Sequence, residues 1–410
     1  MTLPTLDAIY PPGIFLAPRR EDDGPAWAPT DRQMAEFMTA NLAACAGRLP
    51  MLVQKGAMSP LGLATMDRCG VEIGSAIEVY ETPQDYELAI DRRLRDGERI
   101  AYVHPPASGQ SDREPALVGS EALRFLNNKR HTARLAGPEN VPARRLVDLD
   151  NRYDRGALSP PIVVKVATNE MSSGGLGVAI CRRPRHLRRA MARFAGAGTA
   201  IAESLVDAAQ NWCIQYAVLP DGEVREMGAS EQVCLRNGVH AGNLLDVDRP
   251  PPAEAVSLGR AIAMEGSRLG FRGVCGFDIL VDRMEKPFAI DLNFRPVSST
   301  AFVYEIRRRQ SRSGASRLAR LAFLSSGESL ARMLQRCEDG LDEGWLVPLA
   351  TFDPDYGGLG PGPARLRVAI LADDRGTLHR REALVASRGM DFHRTPTRLD
   401  EIRARFRALI

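Results

Sequence analysis

One lysine in this 410-residue chain interrupts an otherwise apolar run. Lys165 stands in IVVKVAT (Ile162–Thr168), and the glycine-rich MSSGGLG (Met171–Gly177) follows closely. An ammonium inside a strand-like run is costly to bury without a counter-charge, and a phosphate is one such partner. The loop is suited to the same anion. Ser172, Ser173, Gly174, Gly175 and Gly177 offer hydroxyls and backbone N–H groups on a flexible frame. It completes neither a dinucleotide fingerprint nor a Walker A motif, because no third glycine and no Gly-Lys-Ser/Thr follows. An edge-strand lysine reaching water and a plain hairpin turn are the structural alternatives.

Farther along, GFDIL and AIDLN each carry a central aspartate, separated by the polar stretch Asp282–Lys286. If the runs pair as a hairpin, Asp278 and Asp291 can lie side by side. Asp291 and Asn293 are two apart and share a strand face. Two carboxylates and an amide oxygen are hard ligands suited to Mg2+, which takes its remaining ligands from water and nucleotide phosphates. Arg295 continues the alternation, placing positive charge where a transferred phosphoryl group or an oxyanion needs it. Glu203 follows the apolar AGTAIA. There a carboxylate and backbone groups can bind an adenine amino group and ribose hydroxyls. Polar strand ends making turn hydrogen bonds are the alternative for all of these acids.

Strands and turns must hold these groups. The first thirty residues read as an extended arm, followed by a helical pattern from about Asp31. PMLVQ and ERIAYVH read as strands flanking a helix around DYELAIDRRL, giving a small α/β unit over 1–120. EALRFLNNKRHTARLAG reads as one helix ending near Gly137-Pro138. Within 121–305 the spacing predicts strands at Ile162–Thr168, Val178–Cys181, Trp212–Leu219, Val274–Val281 and Pro287–Leu292. It predicts helices at Pro184–Phe194 and Ala253–Leu269. The segment 306–410 carries a Gly/Pro-rich loop, a strand at RVAILADD and a last helix from about Leu399.

Composition narrows the function classes. A net charge of +3 excludes the strong basic field that nucleic acid would call for. No apolar stretch is long enough for a membrane helix, and no signal peptide is visible, so the expected location is cytoplasmic. The seven cysteines form no CxxC pair, as expected of reduced structural thiols. Arginine dominates the basic residues, and Lys55, Lys129, Lys165 and Lys286 are the only lysines. A retained lysine supplies a compact point charge where a planar guanidinium fork would not serve.

The order of these features resembles the ATP-grasp family over about 120–305. The resemblance is carried by VVKVATNEMSSGGLGV followed by GFDILVDRMEKPFAIDLNFRP. It implies an α/β (α+β) ATP-grasp fold with a pre-ATP-grasp domain before it and a C-terminal extension. Carried over to this chain, Lys129 and Lys165 are the nucleotide lysines, and Ser172–Gly177 closes over the triphosphate of ATP. Glu203 is the adenine-side acid of the hinge, with Leu205 or Val206 giving a backbone contact. Asn211 stands where a ribose glutamate is common. Asp278, Asp291 and Asn293 hold Mg2+, and Arg295 matches the arginine of biotin carboxylase-like members. GASEQV, NGVHAGNLL and the Ser298–Thr300 cluster look similar to the pheganomycin-type peptide ligase group.

The resemblance implies a ligase that activates a carboxylate as an acylphosphate and joins it to an amine, releasing ADP and phosphate. Amino acids or peptides are the expected small-molecule substrates, and a homodimer is compatible. One alternative is loading of a carrier-protein thiol, with Arg182–Arg189 or Arg307–Arg309 facing an acidic carrier. A silent ATP-binding protein is another, and a bicarbonate-using carboxylase is weaker. His240, Arg236 and Ser298–Thr300 are acceptor-side candidates by position alone.

Overall fold

The structure is a computed structural model describing residues 3–20, 25, 27, 31–104, 113–169, 175–235, 238–313 and 316–392. Its first sheet is parallel and has the order β3-β2-β1-β4, from β1 (Ile14–Ala17), β2 (Met51–Gln54), β3 (Ile77–Tyr80) and β4 (Arg99–Tyr102). The expected extended arm therefore contains an inner strand. All four residues of β1 are buried, so the strand reads as a short apolar run without the polar alternation that marks a half-exposed one. The helix Pro83–Arg95 begins with a reciprocal cap. Thr82 Oγ1 accepts from Asp85 N at 3.2 Å, and the Asp85 carboxylate accepts from Thr82 N at 2.9 Å.

A second sheet, antiparallel in the order β5-β8-β6-β7, comprises β5 (Arg144–Asp148), β6 (Ile162–Val166), β7 (Val178–Cys181) and β8 (Thr199–Ser204). Helix Pro184–Arg193 covers it, and Val147, Val164, Ala190 and Phe194 form its core.

The third sheet is antiparallel, with the order β13-β12-β9-β10-β11-β14-β16-β15. Its strands are β9 (Ala208–Val218), β10 (Val224–Cys234), β11 (His240–Asp246), β12 (Gly273–Asp282), β13 (Pro287–Asn293), β14 (Leu318–Ser326), β15 (Leu346–Phe352) and β16 (Ala364–Ala372). Helix Ala253–Arg268 lies on this sheet, burying Leu258, Ile262 and Ala263. Gly259 allows that approach, since a Cβ there would stand 2.7 Å from the Tyr216 hydroxyl. One core cluster joins Leu16 and Val53 of the first sheet to Ala217, Leu349 and Phe352 of the third.

The single helix expected over EALRFLNNKRHTARLAG is broken. It runs Ser120–Asn127, passes through a 3-10 turn Lys129–His131, and resumes over Thr132–Ala136. Asn128 is extended, and its side-chain oxygen accepts from Arg130 N at 3.0 Å, an Asx-type turn that competes with the helix. The break turns Lys129 toward the strands. The helix expected from about Leu399 lies outside the described residues.

Candidate active site

Asp278 and Asp291 are direct partners across the β12–β13 ladder, so the expected hairpin forms and the two carboxylates meet on one face. Lys129 Nζ, brought in by the helix break, lies 2.6 Å from Asp291 Oδ1. Gln232 Nε2 of β10 donates to Asp278 Oδ1 at 2.7 Å. The electrostatics separate the two acids. Burial and the neighbouring Asp291 charge push Asp278 up to about 7. Burial also opposes the Asp291 charge, but Lys129, Lys165 and Arg295 outweigh it and hold Asp291 below its ordinary range. Arg295 Nη2 donates to Asn293 Oδ1 at 2.9 Å, which ties the arginine to the amide beside the acids.

Lys165 is buried, as a strand lysine can be only with partners. Its Nζ donates to Ile290 O at 2.6 Å and lies 2.8 Å from Glu203 Oε2. Arg144 of β5 faces Glu203 directly across the β5–β8 ladder and binds the same carboxylate. Arg144 Nη1 also donates to Lys129 O at 3.3 Å. The Glu203 carboxylate, expected at adenine or ribose, is thus occupied by two cations, and Glu203 with the residues after it lines the cavity.

That cavity, of about 890 Å³, is lined by Lys129, Lys165, Gly175, Glu203, Leu205, Val206, Asn211, Asp278, Asp291, Asn293 and Arg295. The structure brings all of these expected groups together. Gly175 takes a positive φ of 81°, and an added Cβ would stand 2.8 Å from Gly238 O, so this corner of the loop requires glycine. Gly177 O accepts from Val166 N at 2.9 Å, closing the turn between β6 and β7. Ser172, Ser173, Gly174 and Arg236 lie outside the described residues. Asn211 donates to Gln232 Oε1 at 3.1 Å, while its own Oδ1 is buried without a partner. His240 and Ser298 also line the cavity. Ser299 lines it too and accepts from Gln215 at 3.1 Å, while Thr300, outside the lining, donates to Gln215 at 2.8 Å as a support.

Several lining residues were not anticipated. Val163, Ile180 and Leu280 supply an apolar wall next to the hinge. The period-two rule held the signal for two of them: Val163 precedes Lys165 by two and Leu280 follows Asp278 by two. Arg144 and Gln232 had no such signal, since cross-strand register sets their roles. The run Arg307–Arg309 is no carrier-facing surface at two of its positions. Arg308 is buried, 2.7 Å from Glu305 and 2.9 Å from Glu72, and Arg309 lies 2.6 Å from Glu305. Lys55 pairs with Glu81, and Lys286 lies over the Phe288 ring.

Among the described residues no three His, Cys, Asp or Glu side chains converge on a metal position. The set that does converge is two opposed carboxylates and an amide oxygen. Burial first, and the Asp291 charge second, already raise Asp278. This donor set fits Mg2+ shared with phosphates rather than a metal held by protein alone. No helix among the described residues is long and apolar enough to cross a membrane.

Residues 5–124 match the family described as L-aspartate--L-methionine ligase N-terminal domain, and residues 142–293 match L-aspartate--L-methionine ligase, ATP grasp. Among solved structures, the chain is similar to an N5-carboxyaminoimidazole ribonucleotide synthetase in an ADP complex. The TM-score is 0.59 at 15% identity, over 93% of this chain and 99% of that one. It is also similar to the Staphylococcus aureus N5-carboxyaminoimidazole synthetase complexed with ADP (TM-score 0.56, 13% identity, 92% and 96% covered). A third is the biotin carboxylase domain of Hydrogenobacter thermophilus 2-oxoglutarate carboxylase with MgADP and bicarbonate (0.51, 12%, 93% and 91%). At these identities the likeness establishes the ATP-grasp fold. With this fold, and with two adjoining regions matched to one ligase family, the chain belongs to the ATP-grasp carboxylate–amine ligases, which form ADP.

Proposed function

We propose that the enzyme joins L-aspartate to L-methionine through an acylphosphate, converting ATP to ADP and phosphate. The substrate pair rests on the two family descriptions, each of which names it. The pheganomycin-type likeness of GASEQV and NGVHAGNLL yields to that pair, because both matches describe the same dipeptide ligase. The observation that carries the chemistry is the convergence of Lys129 and Lys165 with Asp278 and Asp291 in one cavity beside an apolar wall.

In this reading the adenine lies between Val163, Ile180 and Leu280, with backbone groups from Glu203 to Val206 on its polar edge. Lys129 and Lys165 hold phosphate oxygens, and the turn containing Gly175 and Gly177 covers them. Glu203 and Arg144 are positioning residues: the carboxylate fixes the Lys165 ammonium, and the guanidinium fixes the carboxylate. Asp278, Asp291 and Asn293 would hold Mg2+, which when bound neutralises phosphate charge. A donor carboxylate oxygen attacks the γ-phosphorus, the bond to the β-bridging oxygen breaks, and ADP leaves. The amine nitrogen then attacks the acyl carbon, phosphate departs, and one amine proton is lost. Arg295 faces the charge that develops on the acyl oxygen. The protein's contribution is orientation and charge complementarity rather than covalent chemistry.

The test is incubation with ATP, Mg2+, L-aspartate and L-methionine, followed by mass analysis and nucleotide quantification. One ADP and one phosphate per aspartyl-methionine is the expected result. AMP with pyrophosphate, or phosphate release without a dipeptide, rejects the proposal. A hydroxylamine-labile thioester on an added carrier protein would favour thiol loading instead.

A further inference from the structure

The cavity has a second cationic region that the nucleotide reading leaves unused. Arg20 and His104 stand on its wall, on the segments that follow β1 and β4. Those strands are parallel neighbours, with Ala17 opposite Tyr102. In the order β3-β2-β1-β4 they flank the point where the winding reverses. Segments leaving the carboxyl ends of strands diverge at such a switch point and open a crevice for ligand. Arg295 reaches the same cavity from just beyond β13.

These groups crowd one another. Burial holds His104 well below its ordinary range, and the Arg295 and Arg20 charges depress it further. Arg295 is depressed chiefly by burial, and Arg20 adds to that. His104 Nδ1 and Arg295 Nε are buried with no hydrogen-bond partner. Two guanidiniums and an imidazole lining one cavity, with His104 Nδ1 and Arg295 Nε unpartnered, form a receptor for a carboxylate.

We propose that Arg20 and His104, together with Arg295, bind the side-chain carboxylate of the donor amino acid and so select aspartate. This rests on the aspartate–methionine reading above. The placement follows from Arg295, whose Nη2 donates to Asn293 Oδ1 at 2.9 Å, so the notch starts at the edge of the set that handles the activated carboxylate. The two carboxyl carbons of aspartate are separated by two carbons. A donor with one carboxylate at that edge extends the other into the notch. Neutral His104 contributes a hydrogen bond and Arg20 a charge. Asparagine keeps one acceptor oxygen but carries no charge, and its N–H2 end cannot accept from a guanidinium, so the charge-assisted contacts are lost.

The experiment compares the full-length enzyme with Arg20→Gln and His104→Gln. It measures kcat and KM for L-aspartate and L-asparagine at saturating ATP and L-methionine. Each variant should raise KM for aspartate about ten- to a hundredfold, the range for a hydrogen bond to a charged group. The aspartate-over-asparagine preference should shrink by a similar factor, with KM for ATP unchanged. In parallel, calorimetry with a non-hydrolysable ATP analogue present compares succinate with butyrate. Succinate should bind the wild type and lose affinity in both variants. A wild type that ligates the two amino acids while the variants keep its aspartate preference overturns the notch and leaves the ligase reading standing. A rise in KM for methionine alone also overturns it. If the wild type forms no aspartyl-methionine but binds succinate through Arg20 and His104, the notch stands and the substrate pair falls.

Discussion

Lys129 Nζ and Asp291 Oδ1 lie 2.6 Å apart although 162 positions separate them in the chain. The contact joins the helix break at Asn128 to the last strand of the acidic hairpin. A lysine proposed for phosphate and an aspartate proposed for the metal are thus neutralised by each other. Asp291→Ala should lower kcat about a hundredfold or more, the scale of losing an electrostatic partner of the transition state. The far-ultraviolet circular dichroism should be unchanged. Phosphate release at saturating substrates checks it.

Lys165 is more tightly bound than Lys129. Its ammonium fits between Glu203 Oε2 and Ile290 O, at 2.8 and 2.6 Å, with its side chain almost fully buried. A planar guanidinium cannot occupy that point. Lys165→Arg should therefore reduce kcat/KM for ATP about ten- to a hundredfold. Lys129→Arg, less enclosed, should lose less. Steady-state kinetics with ATP varied decides the order of the two.

Arg144 was invisible to motif reading, yet it binds the Glu203 carboxylate and reaches Lys129 O at 3.3 Å. Arg144→Gln should raise KM for ATP about tenfold, the cost of one charge-assisted hydrogen bond. KM for the amino acids should be unchanged. A variant with normal nucleotide affinity would remove Arg144 from the positioning role.

The raised Asp278 gives a pH signature. Its folded pKa stands at about 7, above its ordinary 3.8, so the native state holds the proton more tightly than the unfolded chain. Its stabilising contribution is complete below the ordinary value and is lost as pH rises through about 7. Without nucleotide, the protein should melt at a lower temperature at pH 8 than at pH 6. Asp278→Asn should flatten that difference. Differential scanning calorimetry across this window provides the check.

Arg308 tests the meaning of the arginine run. Its side chain and that of Glu305 are both buried and paired at 2.7 Å. Arg308→Ala leaves the buried Glu305 carboxylate with Arg309 as its remaining partner, at 2.6 Å, and should cost about 1.5–3 kcal/mol of stability, the scale of a lost charge-assisted hydrogen bond. Denaturant unfolding measures it. A fully stable variant would contradict a structural role.

The sequence exposed the features that are local. The β12–β13 hairpin follows from two alternating runs and one polar turn, and Lys165 betrays itself as a charge within a strand. Four features were hidden from it, two by weak local signals and two by long-range contacts. β1 is buried along its whole length and shows no alternation. The helical pattern continues through NNKRH, and only the Asn128 side chain ends it. The Arg144–Glu203 pair depends on β5–β8 register. Arg308 has its meaning only because helix Thr300–Ser313 lies against Gly70 and Glu72 of the first domain.

The same 162-position gap between Lys129 and Asp291 has a consequence during synthesis. At ordinary translation speeds the ribosome adds Asp291 roughly 8–30 seconds after Lys129. Once Lys165 has been added, the growing chain holds both lysines proposed for phosphate but neither Asp291 nor Arg295. Chain order therefore delivers the two lysines first and the residues proposed for the metal and the acyl oxygen last.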